Sequence, residues 1–380
     1  MLHPTSSLIA LLTFVALTAC SPDPQSQNNA ATFNLDLKTL LGGNNPDGFL
    51  RAEAPRTFAF PEDHGIHPGF RNEWWYLTGN LETADGEHFG YQATFFNTSL
   101  AGDNQTSATG WQSPRIWMAH VALTDVANNE HIALERFSRE NPGLAGAQLS
   151  PFKVWLENWS LQADSSDSDT NDFPWYLNIE DDAFSLALTL NPLKDPVLQG
   201  DNGLSQKSPE VGNASYYYSL TRIASEGEII LNGERYDVTG QSWLDREWST
   251  SALAENQSGW DWFSLQFNDG QELMYYQLRD NEGFAHPSSD GNWTDLNAQQ
   301  TRISSEDITL IENESWLSPS GISYTTEWTM QYAGQQWIIH ALVDDQFMNL
   351  SVPYWEGAVE ILDVENNEYL GQGYLEMVRN

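Results

Sequence analysis

From Phe58 onward the chain consists of short runs in which apolar and polar residues alternate, and turn dipeptides separate the runs. Residues 75–81 and 89–96 flank Asp85-Gly86, which is the arrangement of a β-hairpin. After Gly42, no long segment carries the helical period of about 3.6 residues. The period of a strand with one buried face is strictest at Phe184, Leu186, Leu188 and Leu190. The pattern therefore predicts an all-β protein.

The pattern of the first hairpin returns in the second half of the chain. Residues 260–267 and 273–278 flank Asp269-Gly270 and repeat the order of strand, turn and strand. A repeated β pattern of this kind is typical of two consecutive barrels. We expect two antiparallel β-barrels packed together, with a boundary between residues 240 and 258. As domains we assign residues 58–244 and 245–380.

The N-terminus has the features of a bacterial lipoprotein. Residues 8–19 form an apolar, uncharged run that is too short to span a bilayer as a helix but fits the core of a signal peptide. The run ends in Leu17-Thr18-Ala19-Cys20, which has the form of a lipoprotein processing site. We expect residues 1–19 to be removed, Cys20 to carry the lipid and residues 20–57 to hold that lipidated cysteine and a linker. The alternative is an ordinary signal peptide with an incidental cysteine.

This interpretation gives a location and a mode of membrane contact. Ser21, rather than Asp, follows the cysteine, which favours the outer membrane in Gram-negative bacteria. After cleavage, no other apolar run is long enough to span the bilayer. We therefore expect a body on the periplasmic side of the cell envelope that is held at the membrane through its lipid anchor only.

Composition excludes several classes of partner. The 380 residues carry 16 basic and 53 acidic side chains, so the formal charge is 16 − 53 = −37, which argues against nucleic acid and against anionic membrane surfaces as partners. A single cysteine excludes an internal disulfide and a cysteine-cluster metal site. The 16 Trp, 14 Tyr and 17 Phe provide a large apolar core and suggest a hydrophobic small molecule as the partner. The sequence identifies no protein partner and no cofactor.

Four motifs resemble a known family. They are residues 60–79, with Asn72-Glu73-Trp74-Trp75-Tyr76, and residues 240–249, 354–359 and 371–376. Together they resemble the lipocalin-like family that includes carotenoid 1,2-hydratases and AttH-type secreted proteins, over roughly residues 58–378. The resemblance implies two lipocalin-like barrels and a hydrophobic ligand. The family includes hydratases, and related lipocalin-like proteins catalyse cyclisation of apolar polyenes.

Asp245 is the first candidate for an acid. Hydration of an isolated alkene needs an acid that protonates carbon, and a buried carboxyl beside an aromatic ring provides both the proton and a face that stabilises a cation. The resemblance assigns the proton-donor role to Asp245, with Trp243 beside it. Strand alternation places Arg246 and Trp248 on the opposite face, which matters because a nearby arginine would keep the carboxyl ionised. The alternative is that Asp245 and Glu247 pair with arginines at the junction of the barrels.

Glu73 is the second candidate for an acid. Alternation puts Glu73 and Trp75 on one face of a strand and Trp74 and Tyr76 on the other, so one tryptophan lines a barrel interior in either orientation. The alternative is a glutamate that pairs with an arginine, either Arg71 or Arg115.

The candidates for ligand binding are Trp74, Trp75, Tyr76, Trp117, His120, Trp243 and Trp248, and one group of polar residues suggests a metal. Trp117 and His120 lie on opposite faces of a predicted strand, and the alternative for His120 is a hydrogen-bonded core residue. Asp63, His64 and His67 have part of the spacing of a zinc site, but no third imidazole ligand is placed by spacing, so we expect no metal.

Two functions remain open from the sequence. The first is an enzyme that catalyses acid-assisted hydration, or related cation chemistry, on an apolar isoprenoid, polyene or lipid-like substrate. The second is a non-catalytic carrier or receptor for a hydrophobic ligand. The two share a cavity and differ in whether that cavity contains a usable acid.

Overall fold

The computed structural model describes residues 46–102, 113–164, 173–251 and 253–379. The expected signal peptide, Cys20 and most of the linker lie outside the described residues. In the described part of the chain, no helix is long and apolar enough to cross a bilayer.

The described residues form strands almost throughout, with one short 3-10 helix at Glu62–His64. The strands of the first sheet are β1 (Asn72–Thr83), β2 (His88–Ser99), β3 (Arg115–Asp125), β4 (Glu130–Arg139), β5 (Ala145–Gln148), β6 (Lys153–Leu156), β7 (Trp159–Ala163), β8 (Trp175–Glu180), β9 (Phe184–Pro192), β10 (Val197–Leu198), β11 (Leu204–Gln206), β12 (Ala214–Leu231) and β13 (Glu234–Ser249). Those of the second are β14 (Gln257–Phe267), β15 (Glu272–Asp280), β16 (Asp290–Thr294), β17 (Gln300–Ser304), β18 (Ile308–Leu317), β19 (Ser323–Tyr332), β20 (Gln335–Ala341), β21 (Phe347–Met348), β22 (Tyr354–Asp363) and β23 (Tyr369–Arg379).

Both sheets are antiparallel, which confirms the all-β, two-barrel prediction. The first follows the order β4-β3-β2-β1-β13-β12-β9-β8-β7-β6-β5, and β6 contacts β2, β3 and β4, so the sheet curls into a nearly closed barrel. The second follows the order β17-β16-β15-β14-β23-β22-β20-β19-β18 and is a half-barrel. Strand β13 runs through the division that we placed between residues 244 and 245, and the first sheet ends at Ser249.

The repeat seen in the sequence lies at the centre of each sheet. Strands β1 and β2 form the first hairpin and β14 and β15 the second, and each hairpin pairs with the last strand of its own sheet, β13 or β23. Gly86 and Gly270 both have a φ of 88°, a left-handed conformation that the hairpin turns require and that side chains disfavour.

Alternation divides the central strands into two faces. In β1, Trp75 and Leu77 belong to the core of the first barrel, whereas Tyr76 belongs to a separate aromatic layer between the sheets. That layer also contains Tyr217 and Trp243 from the first sheet and residues of the second: Trp262, Met274, Tyr276, Leu278, Ala358 and Tyr374. The structure therefore has one core inside each sheet and a third apolar layer where the sheets meet.

A buried ion cluster also joins the two sheets. Glu272 of β15 is fully buried, and its carboxylate contacts Lys194 Nζ at 2.7 Å and Arg222 Nε at 2.6 Å. Both cations belong to the part of the chain that forms the first sheet. Removing one partner of a buried ion pair leaves charge without compensation, which is more costly than losing an exposed pair.

We expect Glu272→Gln to lower the free energy of unfolding by about 3 to 5 kcal/mol, because Lys194 and Arg222 lose the charge that compensates them. The matched control is Glu312→Gln, which removes a glutamate that is half exposed and pairs with Arg279 at 2.7 Å; it should cost less than about 1 kcal/mol. Urea denaturation followed by tryptophan fluorescence measures both. Equal losses of unfolding free energy in the two variants would contradict the conclusion that the buried ion pairs of Glu272 stabilise the contact between the sheets.

Candidate active site

A cavity lies between the two sheets, outside the barrel cores. The space within it that the centre of a water molecule can occupy is about 140 Å³. A cavity of roughly this size binds a molecule such as benzene in an apolar protein interior. Its walls are largely aromatic, and carboxyl groups from both sheets reach it; the side chains used below are Trp74, Tyr76, His120, Lys207, Tyr217, Asp245, Glu247, Trp260, Trp262, Tyr276, Tyr354 and Glu376.

Asp245 reaches this cavity from the central strand β13. It is paired in register with Tyr76 of β1 on one side and Ser219 of β12 on the other, and only 3% of its surface is exposed. Ser219 Oγ and Trp243 Nε1 each donate a hydrogen bond to Oδ1 at 2.6 Å, and the Tyr217 hydroxyl donates one to Oδ2.

Burial controls the protonation of Asp245. It raises the pKa of Asp245 to about 7, although the hydrogen bonds from Ser219, Tyr217 and Trp243 act in the opposite direction. Within the described parts of the chain, no lysine, arginine or histidine forms an ion pair with this carboxyl. Asp245 can therefore exchange a proton near neutral pH, which is the property that a general acid needs.

Arg246 points away from the cavity, as strand alternation predicts. Its guanidinium is fully buried in the first barrel, 2.5 Å from Glu73 Oε2 and 3.8 Å from the centre of the Trp75 ring. The arginine that follows Asp245 in sequence thus compensates a different carboxyl. Asp245 is therefore buried and, over the residues that the structure describes, has no arginine partner.

Glu73 lies on the side of β1 opposite to the cavity and does not fit the acid role that we expected for it. It accepts hydrogen bonds from Asn97 Nδ2 at 2.8 Å and from the His67 backbone N–H at 2.9 Å, in addition to its pair with Arg246. Burial favours a higher pKa for Glu73, but Arg246, His67 and Arg115 outweigh it and lower the pKa to about 2. The side chain is an ionised structural anchor, close to the alternative that pairs it with an arginine.

The expected ligand-binding rings divide between the cavity and the first core. Trp74 and Tyr76 line the cavity, and Trp243 lies in the layer between the sheets. Three tryptophans that we expected to bind the ligand face the first core instead: Trp75, Trp117 and Trp248. Trp75 stacks on Trp117 with their ring centres 5.9 Å apart, and Trp248 stacks on His67 at 3.7 Å.

His120 lines the cavity and is hydrogen-bonded at both ring nitrogens. Its Nδ1 lies 2.9 Å from the Tyr354 hydroxyl of the second sheet, and its Nε2 lies 2.9 Å from Glu135 Oε1 of β4. His120 is therefore both a hydrogen-bonded buried residue and part of the cavity wall.

The Asp63, His64 and His67 group has a structural environment. His64 Nδ1 lies 2.6 Å from the Tyr218 hydroxyl, and His67 Nε2 lies 3.1 Å from Asp63 Oδ1. Burial lowers the pKa of His64 to about 3, so it is neutral at physiological pH. Over the described residues, no three side chains of His, Cys, Asp or Glu are grouped as they would be around a metal ion.

Two carboxyls from the motifs at residues 354–359 and 371–376 are next to the cavity. Glu356 of β22 and Glu376 of β23 are direct cross-strand partners, and Glu376 lines the cavity. Burial raises the pKa of Glu356 well above its ordinary value, and Glu376 raises it further. Burial also raises the pKa of Glu376. The sequence contains matching Tyr-Trp-Glu and Tyr-Leu-Glu segments in two consecutive strands. Only the register of those strands shows that the two glutamates are neighbours.

One buried cation is present at the edge of this acidic group. Lys207 Nζ lies 3.2 Å from Glu247 Oε1 and 4.1 Å from the centre of the Tyr276 ring. Burial favours a lower pKa for Lys207, but Glu247 outweighs it, so the pKa is raised. The lysine and Glu247 form a neutral pair, and Asp245, Glu356 and Glu376 are compensated by protons instead.

We expect Asp245→Asn to become progressively more stable, relative to the unsubstituted protein, as the pH rises from 4 to 8. Below pH 4 the carboxyl is protonated in both the folded and the unfolded state. Between its ordinary pKa of 3.8 and about 7, the unfolded state ionises first, so the unsubstituted protein loses stability with rising pH. The relative gain should reach about 4 kcal/mol, measured by urea denaturation at each pH.

The control for this pH series is Asp261→Asn. Asp261 is equally buried but pairs with Arg279 at 2.7 Å and with Arg379. Removing its charge leaves Arg379 without this partner and Arg279 with Glu312 alone, so this variant should be destabilised at every pH of the series. Parallel pH curves for Asp245→Asn and the unsubstituted protein would show that Asp245 is ionised throughout.

Comparisons with known proteins agree on the family. The sequence profile of the AttH-like family matches residues 51–379. The crystal structure of an AttH protein from Nitrosomonas europaea is 31% identical, with a TM-score of 0.75 over 86% of this chain and 99% of that chain. Kievitone hydratase from Nectria haematococca has a TM-score of 0.63 at 16% identity, over 88% of this chain and 98% of that one, which is a likeness of fold.

A comparison with proteins of curated function gives no match. The profile nonetheless covers both sheets and every strand of the cavity walls, and the Nitrosomonas structure has the same architecture over nearly its full length. The chain therefore belongs to the AttH-like family.

Proposed function

We propose that the cavity between the sheets binds an apolar isoprenoid, polyene or lipid-like molecule and that Asp245 catalyses acid-assisted hydration of a carbon–carbon double bond there. One observation carries this proposal: a carboxyl that faces an aromatic cavity is buried without a cationic partner among the described residues, and this burial raises its pKa to about 7. A binding site that only enclosed an apolar ligand would have no need of such a group, because a buried unpaired acid is costly to maintain.

The hydration takes place in three steps, in which atoms and charges balance. The Asp245 carboxyl gives its proton to one alkene carbon, so the O–H bond breaks as the π electrons form the C–H bond. The other carbon becomes a cation, and the faces of Trp262 and Tyr76 in the cavity wall can stabilise it by cation–π attraction. A water oxygen then bonds to the cation and releases one proton to a base, so the net change is the addition of water.

Three donors prepare Asp245 for this role. Tyr217, Ser219 and Trp243 hydrogen-bond to its oxygens and stabilise the carboxylate that remains after proton transfer. Trp262 Nε1 donates to the Tyr217 hydroxyl at 3.2 Å, which fixes the direction of that hydroxyl toward Asp245. These hydrogen bonds reduce the free-energy cost of ionising Asp245 but do not remove it, so Asp245 can still donate a proton at neutral pH.

Incubation with linear carotenoids and terpenoids, followed by mass spectrometry for the gain of one water, tests the proposal. Asp245→Asn should lower kcat by about 10²–10⁴-fold, the contribution of a positioned general acid. The matched control is Asp237→Asn, an exposed aspartate in the same strand, which should leave the rate unchanged. The rate should fall as the pH rises above about 7, because Asp245 then loses the proton that it donates.

The same experiment separates the enzyme from a non-catalytic carrier. A carrier is the second candidate function, because the aromatic walls would hold an apolar ligand whether or not Asp245 reacts. In that case the ligand is retained by the protein, is recovered without added water and binds equally well to Asp245→Asn. Retention without turnover would contradict the hydratase proposal and support the carrier.

We also propose that the protein is a lipoprotein of the outer membrane that faces the periplasm, and the Leu17-Thr18-Ala19-Cys20 sequence supports this. Cys20→Ser should abolish incorporation of labelled palmitate and move the protein out of the outer-membrane fraction, because the serine cannot accept the thioether-linked lipid. Ser21→Ala, next to it, should keep the label. Labelling that persists in Cys20→Ser would contradict the anchor.

A further inference from the structure

The carboxyl pair Glu356–Glu376 lies on the wall of the cavity that the second sheet provides, whereas Asp245 lies on the wall of the first sheet. The two glutamates are opposite each other in neighbouring strands, Glu356 is fully buried and Glu376 borders the cavity. Two like charges at this separation in a buried site do not both ionise. The pair therefore always holds at least one proton, and it serves neither as an ion-pair partner nor as part of a barrel core.

A chain of hydrogen bonds leads from Tyr354, beside this pair, toward the surface. Neither carboxyl oxygen of Glu356 has a hydrogen-bond partner within the described residues, and Tyr354, two residues away on the same strand face, interacts with that carboxyl through its hydroxyl. That hydroxyl lies 2.9 Å from His120 Nδ1, and His120 Nε2 lies 2.9 Å from Glu135 Oε1. Glu135 has 17% of its side-chain surface exposed and also accepts a hydrogen bond from Ser351 Oγ at 2.6 Å.

The chemistry of each group fixes the direction of these hydrogen bonds. Glu135 is an ionised carboxylate, because His120 and Ser351 lower its pKa against the effect of burial, and a carboxylate only accepts. His120 must then donate through Nε2–H, which leaves Nδ1 as the acceptor for the Tyr354 O–H. Burial lowers the pKa of His120, so the neutral ring with one proton is its resting form.

We propose that Glu135, His120 and Tyr354 form a proton path that connects solvent with the Glu356–Glu376 pair. For one proton to leave, Glu356 protonates the Tyr354 oxygen as Tyr354 passes its own proton to His120 Nδ1. The Nε2 proton of His120 moves to Glu135 in the same event. The result is an ionised Glu356 and a protonated Glu135, with Tyr354 and His120 again neutral, and the reverse sequence returns the proton.

The role of the pair in catalysis, unlike the path itself, rests on the hydration proposed above. In that reaction the pair supplies the base that is required. After the path has released one proton, the ionised Glu356 accepts the proton that water loses when it adds to the cation, and the path then delivers that proton to solvent. The other titratable groups that face the pair are Tyr76 of β1, Asp245 and Glu247 of β13, and Tyr374 of β23. Glu247 is already compensated by Lys207.

Infrared spectroscopy tests the path without any substrate. A protonated buried carboxyl has a carbonyl band that shifts when its hydrogen is replaced by deuterium. In an Asp245→Asn background, which removes the other protonated carboxyl at the cavity, Glu356→Gln should weaken this band; Glu376→Gln serves if that variant does not fold. After rapid mixing with D2O, Glu135→Gln should slow the shift by roughly a hundredfold, the low end of what a positioned proton-transfer group contributes. The amide still accepts from His120 but cannot take up its proton.

The matched control is Glu360→Gln, which alters another Glu–His pair, with His340 at 3.3 Å, that does not lead to the carboxyl pair. It should exchange at the unsubstituted rate. An unchanged rate in Glu135→Gln would overturn the path, and a carbonyl band that keeps its full intensity in both Glu356→Gln and Glu376→Gln would overturn the protonated pair. The measurement involves no hydration, so failure of the proposed reaction and failure of the path are distinguishable.

Discussion

The ion pair between Arg246 and Glu73 is the interaction on which the chemistry of the cavity depends. A buried guanidinium must be compensated, and here Glu73 compensates it inside the first barrel, between Trp75 and Trp248. Because Arg246 is held on that face, its neighbour Asp245 faces the second sheet without a cation. An arginine on the cavity side would have kept Asp245 ionised, and the aromatic walls would then surround a permanent charge.

The cavity between the sheets is unusual in its charge. Four carboxyls meet at it with one lysine among the described residues, and that lysine pairs with Glu247. Other buried acids are held by cations, for example Glu272 by Lys194 and Arg222, and Asp261 by Arg279 and Arg379. The contrast sets the cavity apart from the structural ion pairs, since burial without compensation is the usual condition of a proton-transfer group.

Strand alternation accounts for what could be read from the sequence. It separated Asp245 from Arg246 and Trp74 from Trp75 correctly, and the turn dipeptides located both central hairpins. Alternation does not say which face borders the cavity, and for that reason Trp75, Trp117 and Trp248 were expected to bind a ligand although they pack in the first core.

The same limit explains Glu73 and the carboxyl pair. The partner of Glu73 is 173 positions away in the chain, so its charge environment follows from tertiary contacts alone. Glu356 and Glu376 become neighbours only through the register of β22 and β23, and they approach Asp245 only because two sheets pack against each other. No local pattern contains that information.

Gly90 marks how closely the two sheets approach. A β-carbon built at this position would lie 2.6 Å from the Ala358 side chain of the second sheet, so glycine is required for the observed spacing. The cavity is thus a gap between two separately packed cores. Exchanging a small residue at such a point of contact would widen or narrow that gap, so its size can change while both hydrophobic interiors stay as they are.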